Sequence, residues 1–172
     1  VGLHGGRALR DLIAKAGWRY RHVFAWRPNS GMATGLDLDG DGRLATARDA
    51  QGFGHFSGQR GMVVMSRWPI LSERVQDFSA LLWRDLPGAT LPEVEGMPFP
   101  SKAAQAVQRL SSTGHWIVPI KPPDQAVITV MGFAATPPVF DGPEDRNGLC
   151  NADEVSLWLH VLDGRLGTAP QA

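Results

Sequence analysis

Hydrophobic positions near both ends of the chain follow a helical period. In residues 7–16 apolar side chains recur at i, i+3, i+4 and i+7, namely at Leu9, Leu12, Ile13 and Ala16, and Gly17 follows as a stop. Near the other end one helical face carries Val155, Trp158, Leu159 and Leu162. Asn151 precedes Glu154 by three residues, which is the spacing of a capping box, so this second helix is predicted to begin at Asn151.

Continuous apolar runs between these helices predict the strands of a sheet. Residues 20–26 form one predicted strand, and residues 61–66 form a second that is covered on both faces. Residues 115–120 and 126–133 flank the sequence K-P-P-D-Q, which predicts an antiparallel hairpin with a proline-stiffened loop. A sheet of at least three or four strands follows from these runs.

The rest of the chain carries turn residues without a clear period. Residues 84–100 contain four prolines and two glycines and are predicted to form a long surface loop, followed by a short helix around residues 101–109. Internal repeats and low-complexity tracts are absent from the sequence. The simplest organisation is therefore a single domain over residues 1–172.

Composition limits the classes of function. With 172 residues, of which 43% are hydrophobic, the chain can bury one substantial core. Lys plus Arg equals Asp plus Glu at 17 each, so any recognition of phosphate must be local rather than driven by net charge. The single cysteine, Cys150, excludes an intramolecular disulfide. The sequence has no run of about 18 apolar residues and no signal-peptide pattern, and because it begins without Met we expect the natural N-terminus to lie upstream.

An acidic segment, G-L-D-L-D-G-D-G-R, places carboxylates at every second position, at Asp37, Asp39 and Asp41. This spacing suits a hard, oxygen-seeking cation, for which Ca²⁺ is the natural candidate. The carbonyl of Arg43 is a further candidate ligand, and Asp49 is the candidate closing carboxylate. The alternative is an Asp/Gly turn that is neutralised by Arg43 and Arg48.

A second polar segment, T-P-P-V-F-D-G-P-E-D-R-N-G, follows the apolar run at residues 126–133. Two prolines fix the chain as it leaves the predicted strand, and five charged or amide side chains follow within seven positions, from Asp141 to Asn147. Binding residues concentrate on loops that a scaffold holds in place, which predicts a functional loop. A structural loop that caps itself with Asp and Asn side chains is the alternative.

The segment G-M-V-V-M-S-R-W-P-I at residues 61–70 resembles a signature of the endonuclease/exonuclease/phosphatase family. Five further motifs occur in the order found in a bacterial, often exported, branch of that family: D-L-D-G-D-G-R, Q-G-F-G-H-F-S-G-Q-R-G-M, L-W-R-D-L-P-G-A, R-L-S-S-T-G-H-W and the T-P-P segment. The resemblance covers nearly the whole chain. It implies an α+β fold, a four-layered α/β/β/α sandwich like that of deoxyribonuclease I, and hydrolysis of a phosphoester with Mg²⁺ or Mn²⁺. For localisation, this branch implies the periplasm or secretion.

The sequence departs from the family pattern in three respects. The family's early Asn and metal-binding Glu, and its late Asp-x-Asn and Asp-His pairs, have no convincing match here, so the chain is expected to be a central part of a longer domain or a truncated homologue. Ala134 stands where this branch usually carries a His that points into the site. In C-N-A-D-E, Cys150 and Ala152 replace a common Arg and His, which predicts impaired activity.

The resulting hypothesis is a metal-dependent phosphoesterase whose candidate catalytic residues are His115, Asp141, Asp145, Arg146, Asn147 and Asn151. Three of these have alternatives: His115 as a half-buried His bonded to backbone, Arg146 as an ion pair within its loop, and Asn151 as the helix cap alone. The competing function is a non-catalytic binding module stabilised by Ca²⁺. The acidic loop is expected to lie away from the hydrolytic centre, and the substrate, whether nucleic acid, phospholipid or small phosphoester, stays open.

Overall fold

The computed structural model describes residues 7–17 and 20–166, in which helices and antiparallel strands alternate irregularly along the chain. The helices are α1 (Arg7–Lys15), α2 (Lys102–Val107) and α3 (Arg146–Leu162). The strands are β1 (His22–Phe24), β2 (Val64–Ser66), β3 (Gln76–Asp77), β4 (Glu93–Val94), β5 (Met97–Pro98), β6 (His115–Ile120) and β7 (Ile128–Phe133). This mixture confirms the predicted α+β class.

The central sheet has the strand order β3-β6-β7 and is antiparallel throughout. Its main part is the predicted hairpin, in which β6 and β7 pair from His115↔Phe133 to Ile120↔Ile128. A separate two-stranded sheet pairs β1 with β2, also antiparallel. Strand β6 is the best-protected strand of the central sheet because both of its faces are covered.

Alternate residues of β6 belong to two different cores, as the period-2 geometry of a strand requires. Trp116 and Val118 pack against the β1–β2 sheet, where the rings of Trp116 and Phe24 meet edge to face at 5.1 Å. On the opposite face Ile117 packs against the core that contains α3. The order of layers is therefore the β1–β2 sheet, the central sheet, and then α3.

The core beneath α3 is anchored by Leu157, which is fully buried, and by Trp83. The indole Nε1 of Trp83 donates to Asp153 Oδ2 at 2.7 Å, and the backbone N of Thr90 donates to the same oxygen at 2.7 Å. Asp153 thus ties helix α3 to the turn that begins the predicted loop at residues 84–100. That segment contains the short β4–β5 hairpin.

The predicted start of the last helix is wrong. Helix α3 begins at Arg146, and its N-cap is Asp145, whose backbone is left-handed (φ 51°, ψ 34°) and whose side chain makes no capping hydrogen bond. Asn151 lies inside the helix and donates from Nδ2 to the carbonyl of Thr136 at 2.7 Å. By contrast, α1 and α2 lie where they were predicted, and the strands predicted at residues 20–26 and 61–66 are present in shorter form.

A buried asparagine, Asn29, joins the loops that carry the site. Its Nδ2 donates to the carbonyls of Ser79 and Ser111, both at 2.7 Å, and its Oδ1 accepts from Arg109 Nη1 at 2.8 Å. Its backbone carbonyl accepts from Gly52 N at 3.3 Å. A Cβ atom at Gly52 would lie 1.8 Å from the carbonyl oxygen of Ser112, so the close approach of these two loops requires glycine.

In the part of the chain that the structure describes, no helix is long and apolar enough to cross a membrane.

Candidate functional site

A cavity of about 810 Å³ lies where the two polar segments of the sequence meet. Its walls come from residues 39–60, Phe99, residues 108–112 and residues 136–150. Among the predicted catalytic residues it is lined by Asp141, Arg146 and Asn147. A volume of this size is typical of sites for small organic ligands.

One buried carboxylate, that of Glu154 on α3, holds two walls of this cavity together. Its Oε1 accepts from the backbone N of Ser112 at 2.8 Å and from Ser112 Oγ at 3.0 Å. Its Oε2 accepts from the backbone N of Thr136. Burial raises the pKa of Glu154, and these hydrogen bonds act in the opposite direction. Ser112 and Thr136 both line the cavity, so Glu154 positions them from behind.

The loop that precedes α3 is braced by Asn147. Its Nδ2 donates to the carbonyl of Val139 at 2.8 Å, and its backbone N donates to Asp141 Oδ2. Glu144 Oε1 accepts from the backbone N of Gly142 at 3.1 Å. The loop therefore does cap itself with its own side chains, as the structural alternative required, and in doing so it presents its first helical residue, Arg146, to the cavity.

Arg146 contributes an unsatisfied buried donor to the cavity wall. Its Nε is buried and has no hydrogen-bond partner, and none of the three salt bridges found in residues 7–17 and 20–166 includes it. Burial lowers the pKa of Arg146, whereas nearby carboxylates, those of Asp39 and Glu144 among them, act to raise it. The side-chain oxygen of Gln108 is also buried without a partner and also belongs to the cavity wall. The cavity wall thus contains one unsatisfied donor and one unsatisfied acceptor, both closed to solvent.

The acidic loop brings together Asp37, Asp39 and Asp49, whose carboxylate oxygens lie within 4.8 Å of one another. Asp49 is 2% exposed, and its two oxygens accept from the backbone N of Leu38 at 3.0 Å and of Thr46 at 2.8 Å. Its position one residue after the expected closing site agrees with the sequence prediction. Three carboxylates in one cluster supply only oxygen ligands, which suits a hard divalent cation.

The three carboxylates are unequally compensated. Burial acts to raise the pKa of Asp37, but hydrogen bonds from the backbone of Gly42 and Gly40 lower it overall. Burial raises the pKa of Asp39, and Arg48, whose Nη1 lies 3.6 Å from Asp39 Oδ2, only partly offsets this effect. A divalent cation would stabilise the charged form of Asp39.

The geometry of this loop differs from two expectations. Asp41 lies outside the cluster, and its Oδ1 accepts from the backbone N of Arg43 at 2.7 Å, as in an ordinary Asx turn. The loop was expected to lie away from the predicted catalytic residues, but Asp39 lines the same cavity as Arg146. The local spacing of acidic residues indicated a cation site, but it contained no information on what the folded loop would face.

The remaining candidates lie outside the cavity wall. His115 is fully buried, with Nδ1 hydrogen-bonded to Ser111 Oγ and Nε2 2.9 Å from the carbonyl oxygen of Glu154. This is the backbone-bonded arrangement that the sequence left open as the alternative for His115. Asp145 is the exposed N-cap of α3, and Asn151 holds the Thr136 carbonyl. Burial raises the pKa of Cys150 far above its ordinary value, which agrees with an inert thiol.

Several cavity residues were missed by the sequence analysis, notably Phe53, Arg60, Phe99, Arg109 and Ser112. The signal for most of them was present. Phe53 and Arg60 belong to the Q-G-F-G-H-F-S-G-Q-R-G-M motif, and Arg109 and Ser112 to R-L-S-S-T-G-H-W. Both motifs carry the family resemblance, but their spacing alone does not assign a chemical role to any single side chain.

Comparison with known proteins identifies one family. A family model described as "Endonuclease/Exonuclease/phosphatase family" matches residues 4–155, which is most of the chain. Searches of curated proteins and of solved structures gave no significant match.

Proposed function

Because the chain belongs to the endonuclease/exonuclease/phosphatase family, we propose that it forms the phosphate-binding part of a metal-dependent phosphoesterase. Membership of the family supports a phosphoesterase-type hydrolase domain that acts on phosphoester substrates. The proposal adds a location: the phosphate group of the substrate binds in the cavity of about 810 Å³ and contacts Arg146.

The unpartnered Nε of Arg146 is the observation that carries this proposal. Leaving a buried, charged donor unpaired is costly, and arginine pairs with phosphate oxygens through short, charge-assisted hydrogen bonds. The Nε atom itself is closed to solvent, but Arg146 as a whole is partly exposed and lines the cavity, so a phosphate there would supply an acceptor to the accessible part of the guanidinium group. The neighbouring carboxylates of Asp39 and Glu144 do not supply it, because neither makes a hydrogen bond or salt bridge with Arg146.

Other cavity residues position Arg146 and the substrate. Asn147 keeps the preceding loop closed through Val139 and Asp141, and this fixes the first turn of α3. Ser112 Oγ, which has one hydrogen to donate, lies 3.0 Å from Glu154 Oε1 and 3.1 Å from the carbonyl oxygen of Ala134, so it links α3 to the strand exit beside the cavity. These contacts orient the phosphate-binding residue without taking part in bond cleavage.

A bound Mg²⁺ or Mn²⁺ would polarise the phosphoryl group and activate the attacking water. Ala134 and Ala152 stand where the bacterial branch that this sequence resembles commonly carries histidine. We therefore expect this chain to bind phosphoesters more readily than it hydrolyses them, because losses of catalytic groups are strongly non-additive.

For the cluster of Asp37, Asp39 and Asp49 we propose Ca²⁺ as the ligand. Calcium accepts flexible coordination by six to eight oxygens, so three carboxylates leave room for carbonyl and water ligands, whereas magnesium demands a stricter octahedron. Because Asp39 also lines the cavity, a cation there would place positive charge beside the phosphate-binding region.

Binding of inorganic phosphate, measured by calorimetry, tests the assignment of Arg146. We expect Arg146→Ala to weaken phosphate binding by roughly tenfold to a hundredfold, the equivalent of one charge-assisted hydrogen bond. Arg84→Ala is a matched control, since Arg84 is an exposed arginine outside the cavity wall that lies 3.6 Å from Asp85. Equal phosphate affinity in the wild type and Arg146→Ala would refute the proposed site. Hydrolysis of bis(p-nitrophenyl) phosphate with Mg²⁺ or Mn²⁺ would be measured on the same samples.

A further inference from the structure

The cavity has an apolar wall that phosphate recognition does not require. Phe53, Phe99, Val139 and Phe140 all belong to it. Phe53 and Val139 are each 47% exposed and Phe140 is 78% exposed, so much of this apolar surface faces the cavity or solvent. Large apolar side chains that stay exposed beside a polar site commonly contact ligands.

Phe140 is held in place at a conformational cost. Its φ is 71°, in the left-handed region that a bulky side chain rarely adopts, and such a conformation costs on the order of 1–3 kcal/mol. The residues on either side of it are both bonded to Asn147, through the carbonyl of Val139 and the carboxylate of Asp141. Because the ring is mostly exposed, its burial in the core does not offset this cost. A ligand that covers the Phe140 ring would offset this conformational cost.

Another part of the cavity lining combines an aromatic ring with a guanidinium group. Arg60 Cζ lies 5.6 Å from the centroid of Phe53, and Arg60 and Phe53 both line the cavity. Arg48 and Arg109 also contribute to the lining. Phenyl faces and guanidinium planes both stack on flat rings, whereas interspersed cationic groups interrupt the continuous apolar channel that an alkyl chain needs.

The size of the cavity leaves room for an organic group. A phosphate occupies only a few times the ~30 Å³ share of one water molecule. The cavity of about 810 Å³ is much larger than this, and Arg146, the phosphate contact, occupies only one part of its wall. Phe53, Phe99 and Phe140 belong to the rest of the lining.

We propose that the cavity selects phosphate esters whose alcohol is a planar aromatic group, with the phosphate on Arg146 and the ring against Phe53 and Phe140. This inference rests on the proposed function, because it assumes that phosphate binds at Arg146. It adds the class of substrate and two residues that determine specificity.

Three probes test the inference by calorimetry on the intact chain: inorganic phosphate, phenyl phosphate and hexyl phosphate. We expect phenyl phosphate to bind at least about fivefold more tightly than inorganic phosphate, as stacking on an aromatic side chain predicts. Phe140→Ala and Phe53→Ala should each reduce this preference, taken as the ratio of the affinities for phenyl phosphate and inorganic phosphate in the same variant. Phe56→Ala is the matched control, since Phe56 is 63% exposed but does not line the cavity.

Each outcome has a distinct meaning. If neither inorganic phosphate nor phenyl phosphate binds, the proposed function fails and this inference fails with it. If inorganic phosphate binds and phenyl phosphate binds no more tightly, only the inference is overturned. Tighter binding of hexyl phosphate than of phenyl phosphate would overturn the aromatic class, and an equal loss in Phe56→Ala and Phe140→Ala would overturn the location. Thermal melting of each variant verifies that it is folded.

Discussion

The buried imidazole of His115 makes the stability of this protein depend on pH in a calculable way. Its Nε2 lies 2.9 Å from the carbonyl oxygen of Glu154, and because a carbonyl can only accept, Nε2 must carry a hydrogen. Nδ1 then accepts from the hydroxyl of Ser111, so the neutral ring satisfies both of its partners. A second proton on Nδ1 would meet a hydroxyl that is already donating, in a site that is 0% exposed. The fold therefore favours neutral His115.

The magnitude follows from the pKa. Burial lowers the pKa of His115 from 6.5 to about 4, while the unfolded chain keeps the ordinary value. Between these two values the unfolded state binds a proton that the folded state does not, so the stability that His115 contributes is present above pH 6.5 and is lost as the pH falls towards about 4. One pKa unit corresponds to about 1.4 kcal/mol, which gives about 2 kcal/mol lost between pH 6.5 and pH 5.

Urea denaturation of the wild type and of His115→Gln, each at pH 7 and pH 5, isolates this contribution. We expect the free energy of unfolding of the wild type to fall by about 2 kcal/mol more than that of the variant. Glu154, whose raised pKa makes protonation favour the folded state, has the opposite sign, but it titrates in both proteins and cancels in the comparison. His55→Gln, at an exposed histidine, controls for the loss of an imidazole.

Equal losses of stability in the wild type and His115→Gln would refute the reasoning. Because His115→Gln lacks the two core hydrogen bonds and could fail to fold, an NMR titration of the wild-type imidazole provides a second measurement. The His115 ring should not titrate above pH 5. A midpoint near 6.5 would mean that the ring is accessible to solvent and available to relay protons.

Two further predictions concern the acidic loop. Ca²⁺ at a hundredfold excess over its dissociation constant should stabilise the wild type by about 2.7 kcal/mol, and chelation should lower Tm accordingly. Asp39→Asn should lose this response, whereas Asp41→Asn, which lies outside the cluster, should keep it. A wild-type melting curve that neither Ca²⁺ nor chelator changes would refute the cation site. Gly40→Ala should lower the free energy of unfolding in urea by more than the ~1–2 kcal/mol expected for a left-handed alanine, because a Cβ there would lie 3.1 Å from the Phe99 ring. Gly35→Ala shares the positive φ but has nothing within 4 Å, so equal losses in the two variants would exclude a role for the Phe99 contact.

Local patterns predicted the elements of this fold well where the determinants are themselves local. The β6–β7 hairpin has two apolar runs and a short proline-containing connection, all within about twenty residues, and it lies where the pattern placed it. The start of α3 was misplaced because its first turn is stabilised by Asp141, which accepts from the backbone of Asn147 across a left-handed Asp145. Rules for helix caps consider only adjacent side chains and do not include such a contact.

The candidate site was predicted in part for the same reason. The spacing of Asp37, Asp39 and Asp41 indicated a cation cluster, and the cluster contains Asp37, Asp39 and the expected closing carboxylate Asp49 but not Asp41. The burial of His115 and the unpaired Nε of Arg146 depend on contacts between residues far apart in the sequence, so no local pattern contains them. The sequence therefore indicated which segments carry reactive side chains, but not which of these side chains are buried and which line the cavity.

The buried side chain of Asn29 has a mechanical consequence for any molecule that enters the cavity. Its hydrogen bonds to Ser79 and Ser111 connect residues that are 50 and 82 positions apart in the sequence. The cavity walls likewise come from segments that lie far apart in the sequence. A ligand that touches two of these walls acts as a reversible cross-link across the chain, and like a covalent one it opposes the opening of a long loop. Occupancy of the cavity would therefore reinforce the whole domain and not only the residues in contact with the ligand.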